Sequence, residues 1–153
     1  MFSIRKAALV AAAFSTLAFT GTTVSPALAA DDVYMLSVPD ALATADAHDR
    51  LDGSVKFYFG DGAHPAVVRR LGDFVTNQKT NGFAKGDFQA CSWVFLSALL
   101  EFQKRAHDVG ADAVINIHSY YKKEDVSIDT QVPCHKGFWV GGIALRGEFV
   151  RIR

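Results

Sequence analysis

Cysteine is scarce in this chain, with two residues, Cys91 and Cys134, among 153. That excludes a disulfide-dense miniprotein, and with no C-x-x-C or H-x3-H spacing it excludes the common zinc folds. Four prolines and twelve glycines, without a repeat, exclude a collagen-like or low-complexity chain. Neither sign of charge is in excess, with Lys plus Arg at 16 and Asp plus Glu at 16, so there is no basic footprint for nucleic acid. A hydrophobic fraction of 50% excludes intrinsic disorder. No apolar run reaches the roughly 20 residues that cross a bilayer as a helix. Three motifs are also missing: the G-x4-G-K-[ST] phosphate loop, the G-x-S-x-G nucleophile elbow and the H-E-x-x-H metal pair.

What is present begins at the N-terminus. Arg5 and Lys6 precede an uncharged, mostly apolar run from Ala7 to Phe19. Ser25-Pro26 breaks that run, and Ala27-Leu28-Ala29 supplies an A-x-A cleavage site. These are the three regions of a secretory signal peptide, predicted over 1–30 with cleavage near Ala29/Ala30. No cysteine follows the run, so no lipid anchor is expected, and no stable membrane anchor after cleavage. Residues 31–153 then form a single exported domain, and loss of Arg5 and Lys6 shifts the balance to 14 basic against 16 acidic. A periplasmic address follows, with no cofactor expected.

Export places both thiols in an oxidising compartment, where a Cys91–Cys134 disulfide is the first expectation. Its long loop gives a contribution of about 4 kcal/mol in the chain-entropy model. The competing reading is a metal site built from Cys134, His135 and either His118 or His64.

Along the exported part, Asp32 to Ser37 reads as a strand. Ser37-Val38-Pro39-Asp40 reads as a helix start running to about Ala47. Ser54 to Phe59 alternates, with Val55, Phe57 and Phe59 on one face, and Gly60-Asp61-Gly62 is a turn. Pro65 to Leu71 fits either a helical turn or the approach to a strand. Asp73 to Thr80 is extended, and Thr80-Asn81-Gly82 is a loop. Asp87 is placed as the cap of a long helix over about 87–109. Phe88, Cys91, Phe95, Leu99, Phe102 and Ala106 form one apolar stripe on it, and Trp93, Leu96 and Leu100 a second. An apolar surface this wide predicts a helix buried over much of its girth, ended by Gly110. Ala113 to Tyr121 is a strand with Ala113, Ile115 and Ile117 on one face and Asn116, His118 and Tyr120 on the other. A charged turn, Lys122 to Asp125, and a polar stretch, Ser127 to Pro133, that is either loop-like or a weak edge strand lead to an extended segment from Gly137 to Ile152, with a bend or bulge at Gly147. The fold expected is α+β, a mostly antiparallel sheet covered by one long helix.

The long helix, Gly110-Ala111-Asp112-Ala113-Val114-Ile115-Asn116 and the Gly-rich Val140-Gly141-Gly142-Ile143-Ala144 together resemble the YbjQ-type domain, an α+β family named for heavy-metal binding. They also resemble the periplasmic RcsF domain, which implies an envelope protein held by disulfides. Leu51-Asp52-Gly53-Ser54-Val55-Lys56-Phe57-Tyr58, Lys79-Thr80-Asn81-Gly82 and Ser119-Tyr120-Tyr121-Lys122-Lys123 are similar to a group of small exported proteobacterial proteins often labelled excinuclease ATPase subunit. The missing phosphate loop leaves nothing to cradle nucleotide phosphates, so that label finds no support in these residues.

For function, Asn116, His118 and Tyr120 share a strand face; the first expectation is that this face is solvent-exposed or that His118 is hydrogen-bonded within the fold, and the alternative is a polar pocket shared with His135 and Lys79. Tyr120, Tyr121, Lys122 and Lys123 put aromatics beside charge, as does Phe138-Trp139. Ser119 cannot join His118 in a triad, because strand neighbours point to opposite faces. The leading expectation is a non-catalytic domain that binds an envelope protein or surface ligand through Asn116, His118, Tyr120, Tyr121, Lys122 and Lys123. The alternatives are a metal-binding domain using His118, Cys134 and His135, and a small hydrolase.

Overall fold

A computed structural model describes residues 32–81, 86–137 and 140–153. The expected signal peptide, Gly82 and Phe138-Trp139 lie outside the described residues. The elements in chain order are β1 (Asp32–Ser37), α1 (Val38–Leu42), α2 (Ala45–Arg50), β2 (Lys56–Phe59), β3 (Val67–Asn81), α3 (Asp87–Val109), β4 (Ala113–Ser119), β5 (Val126–Ser127), β6 (Gln131–Lys136) and β7 (Val140–Ile152). A 3-10 turn over Tyr121–Lys123 follows β4. The α+β expectation holds: one curled sheet, antiparallel except for the β2–β4 pair, lies against one long helix.

Local chemistry explains the boundaries. Ser37 caps α1, its hydroxyl accepting the Asp40 amide at 3.4 Å, with Pro39 in the first turn. The single helix expected to Ala47 is instead two. Thr44 donates its hydroxyl to Ala41 O at 2.8 Å and accepts the Ala47 amide at 3.3 Å, closing one helix and capping the next. The cap of α3 is Gly86, without a side-chain bond; Asp87 is the first helical residue and pairs with Lys136 at 2.5 Å. Its charge suits the positive end of the helix all the same. Gly110 closes the helix at φ 74, as expected.

The sheet runs β1-β6-β7-β4-β2, with β3 on the other edge of β7 and β5 on β4. Val67 to Leu71 is strand, and so are Thr80 and Asn81, because β3 pairs with β7 from end to end. The expected loop at Thr80-Asn81 is therefore corrected. Val126–Ser127 and Gln131–Lys136 are also strands, pairing with β4 and with β1 and β7.

One face of the sheet takes α3. Val114, Ile117, Ile143, Leu145 and Phe149 pack on Val94, Phe95, Ala98, Leu99 and Phe102. Phe149 meets Phe102 edge-on at 5.3 Å and Phe74 at 4.8 Å. Each fully buried aromatic stabilises by roughly 2–3 kcal/mol. Cys91 of α3 and Cys134 of β6 are bonded, so the helix is stitched to the sheet at a site with no solvent exposure.

The opposite face carries only a small cluster of Ala113, Ile115 and Val150. On this side β4 does not alternate throughout. Ile115 lies opposite Glu148 and His118 opposite Arg146, so β4 holds one more residue than β7 between those pairs. Asn116 sits in this bulge at φ 51. The expected grouping of Ala113, Ile115 and Ile117 is thereby corrected: Ile117 turns inward with Val114, and Asn116 follows Ile115 outward. The bulge expected at Gly147 lies across from it instead. A Cβ at Gly147 would stand 2.5 Å from Val114 Cγ1 and 3.3 Å from both Ile117 and Phe102. Glycine is there to admit the bulged strand.

Candidate functional site

The face turned away from α3 presents a pocket of about 410 Å³ at the β4 bulge. Asn116 and His118 enter it from β4, Arg146 and Glu148 from β7, Asp73 from β3 and Asp125 from the segment before β5. Arg146 and Glu148 are two apart on one strand, so both point outward, and Asp73 is the registered partner of Glu148.

His118 is held at both ends of its ring. Nδ1 lies 2.7 Å from Asn116 O, and Nε2 lies 2.6 Å from Asp125 Oδ1. Both ring nitrogens are thus within hydrogen-bond distance of the chain's own oxygens. Arg146 reaches Asp73 at 3.3 Å and Asp125 at 3.5 Å, and its guanidinium lies 5.6 Å from the Tyr120 ring centre. Glu148, with 15% of its side chain exposed, pairs with Arg70 and accepts the Asn116 amide at 3.3 Å. Asp61 adds another carboxylate to the wall. Four carboxylates line the pocket, three of them already set against Arg146 and Arg70, so four acidic side chains face two guanidinium groups and the balance favours a cationic group.

His118 is hydrogen-bonded, as first expected, and the alternative of one pocket joining Asn116, His118 and Tyr120 to His135 and Lys79 does not form. Lys79, Tyr121, Lys122 and His135 line a separate recess of about 390 Å³ over Gly142. There the His135 ring stacks on Tyr121 at 3.4 Å and 10°, with Lys122 Nζ 5.2 Å from the same ring. Lys122 and Lys123 both adopt positive φ, 53 and 67. Tyr120 lies between the recesses, its amide bonded to Ala144 O at 2.9 Å.

The metal set drawn from Cys134, His135 and His118 does not assemble. The Cys134 sulfur is bonded to Cys91, so it offers no thiolate. His118 and His135 line different recesses, and His64 bonds to Pro65 O at 2.8 Å. Among the described residues no three His, Cys, Asp or Glu side chains are grouped to hold an ion.

Sequence reasoning missed Asp73, Asp125, Arg146 and Glu148. The signal for two of them was there: Arg146 and Glu148 are charges two apart in a mostly apolar strand. The other two depend on pairing between distant segments. No helix among the described residues is long and apolar enough to cross a membrane. No family model matches this chain, and no curated protein and no solved structure matches it either.

Proposed function

We propose that this chain is an exported, non-catalytic binding domain of the periplasm that receives a basic side chain of an envelope protein in the Asn116–His118 pocket. The observation that carries this reading is His118. A catalytic histidine needs a ring nitrogen directed at its substrate, and here both lie within hydrogen-bond distance of the chain's own oxygens. The surrounding carboxylates of Asp61, Asp73, Asp125 and Glu148 supply the complement to a lysine or arginine. The Cys91–Cys134 bond supports an oxidising address. Kinship with the YbjQ-type and RcsF domains belongs to the same proposal, resting on the motifs quoted above.

The test is site-specific photo-crosslinking in the periplasm from position 61, at the rim of the pocket. A discrete adduct is expected, lost in the Asp73→Asn/Asp125→Asn double variant and retained in Lys79→Gln. An adduct indifferent to the two aspartates, or none at all, overturns the reading.

A further inference from the structure

β3 is an edge strand with an open outer side. It pairs with β7 alone, and among the described residues no other backbone hydrogen bond reaches 73–81. Its register shifts are confined to the first part, between Val67 and Gly72, and from Asp73 to Asn81 the register against β7 is unbroken. The other open edges, β1 and β2, are shorter.

An open run of N–H and C=O groups is a template for another strand, and natural edges are ordinarily blunted by bulges, prolines or several charges. Residues 73–81 have no proline and no bulge. Their only charges are Asp73 and Lys79, which share the exposed face with Val75, Asn77 and Asn81. Val75 is 51% exposed on that face. Asp73 keeps about half of its side chain in solvent while reaching Arg146, and no ion pair joins Lys79 to a described residue.

We infer that this chain pairs with a second copy of itself along β3, antiparallel about a two-fold axis at Thr76. Antiparallel neighbours are exchanged by an axis normal to the sheet, which keeps each face on its own side, so the axis must pass through a residue and not between two. Charge then selects among the registers that remain. Centred on Thr76, the pairing sets Asp73 of each copy directly opposite Lys79 of the other, twice over, and Thr76 opposite Thr76. Centred on Val75 or Asn77, it sets Lys79 opposite Leu71 or Val75 and Asp73 opposite an asparagine. Opposite charges and threonine pairs directly across a strand boundary are both favourable. The inference concerns the exported chain alone in solution and does not rest on the reading of the His118 pocket.

The experiment is sedimentation equilibrium of the exported chain over roughly 10 μM to 1 mM. A reversible monomer–dimer equilibrium is expected, weak because one strand pair buries less than a standard interface. Lys79→Glu sets carboxylates face to face, and Asp73→Lys sets ammonium groups face to face. Each variant alone is expected to lose affinity by about tenfold or more. An equal mixture of the two restores association, because only the mixed pair has opposite charges across both contacts, and Lys79→Arg retains it. Urea midpoints establish that each variant is folded. If Asp73→Lys, which stands beside Arg146, does not fold, Lys79→Glu against Lys79→Arg carries the test. Three results overturn the inference: a monomer at every concentration, self-association indifferent to Lys79→Glu, or a mixture of the two folded variants no more associated than either alone.

Discussion

Asp125 Oδ1 lies 2.6 Å from His118 Nε2, and its other oxygen lies 3.5 Å from Arg146, so one carboxylate joins β4 to β7 across the bulge. Asp125 is half exposed, at 52%, which limits what these bonds contribute. Asp125→Ala is expected to cost about 0.5–1 kcal/mol. A double-mutant cycle with His118→Ala, read by urea unfolding at low and high salt, should give a coupling of the same order that shrinks with salt. Strict additivity at both salt concentrations would show that the pair carries no coupling.

The Cys91–Cys134 bond spans 43 residues. Its removal by Cys91→Ala/Cys134→Ala is expected to cost about 4 kcal/mol from loop entropy. The check is the midpoint of chemical unfolding. A variant as stable as the parent would mean that packing of α3 on the sheet alone fixes the two segments together.

Gly147→Ala is expected to destabilise by about 1–3 kcal/mol, because its Cβ meets Val114, Ile117 and Phe102 at overpacking distances. The companion Val114→Ala, which clears the closest contact, should recover part of that loss in the Gly147→Ala background. No recovery in the combined variant would place the strain elsewhere.

Asp52 accepts the Ser54 hydroxyl at 2.6 Å and the Ser54 amide at 2.9 Å. These bonds, with a smaller contribution from His107, hold its carboxyl below the usual aspartate range. The folded value is depressed relative to the unfolded one, about 3.9. Its contribution to stability is therefore complete above that value and is lost as pH falls through the folded value. In an NMR titration Asp52 should protonate at lower pH than an ordinary aspartate, and Ser54→Ala should move it back up. An unmoved midpoint in that variant would remove Ser54 as the cause.

Much of the fold was legible because it rests on local pattern. The 3.6-residue period of α3, its Gly110 stop, the Ser37 cap and the alternation of Phe74 and Thr76 against Val75 and Asn77 all appear as read. The misreadings arose where a distant partner decides the outcome. Alternation through Ala113–Tyr121 broke at Asn116 because β7 offers Gly147 opposite a bulge. Thr80 and Asn81 look like a loop and are strand because β7 runs the full length of β3. The candidate site divides in the same way. His118 and Asn116 stood out as polar residues on one strand. Lys79 and His135 were drawn to them wrongly, because strand order places those two beside Gly142 rather than beside Arg146.

The strand with the most neighbours comes after all of them in the chain. β7 pairs with β3 along one edge and with β6 and β4 along the other. For a polypeptide released N-terminus first, these three strands emerge without the neighbour they share, and only the β1–β6, β2–β4 and β4–β5 pairings are open before it. Assembly is deferred to one late step, when 140–152 arrives between its partners. Until then the pieces of the sheet have no common strand to join them.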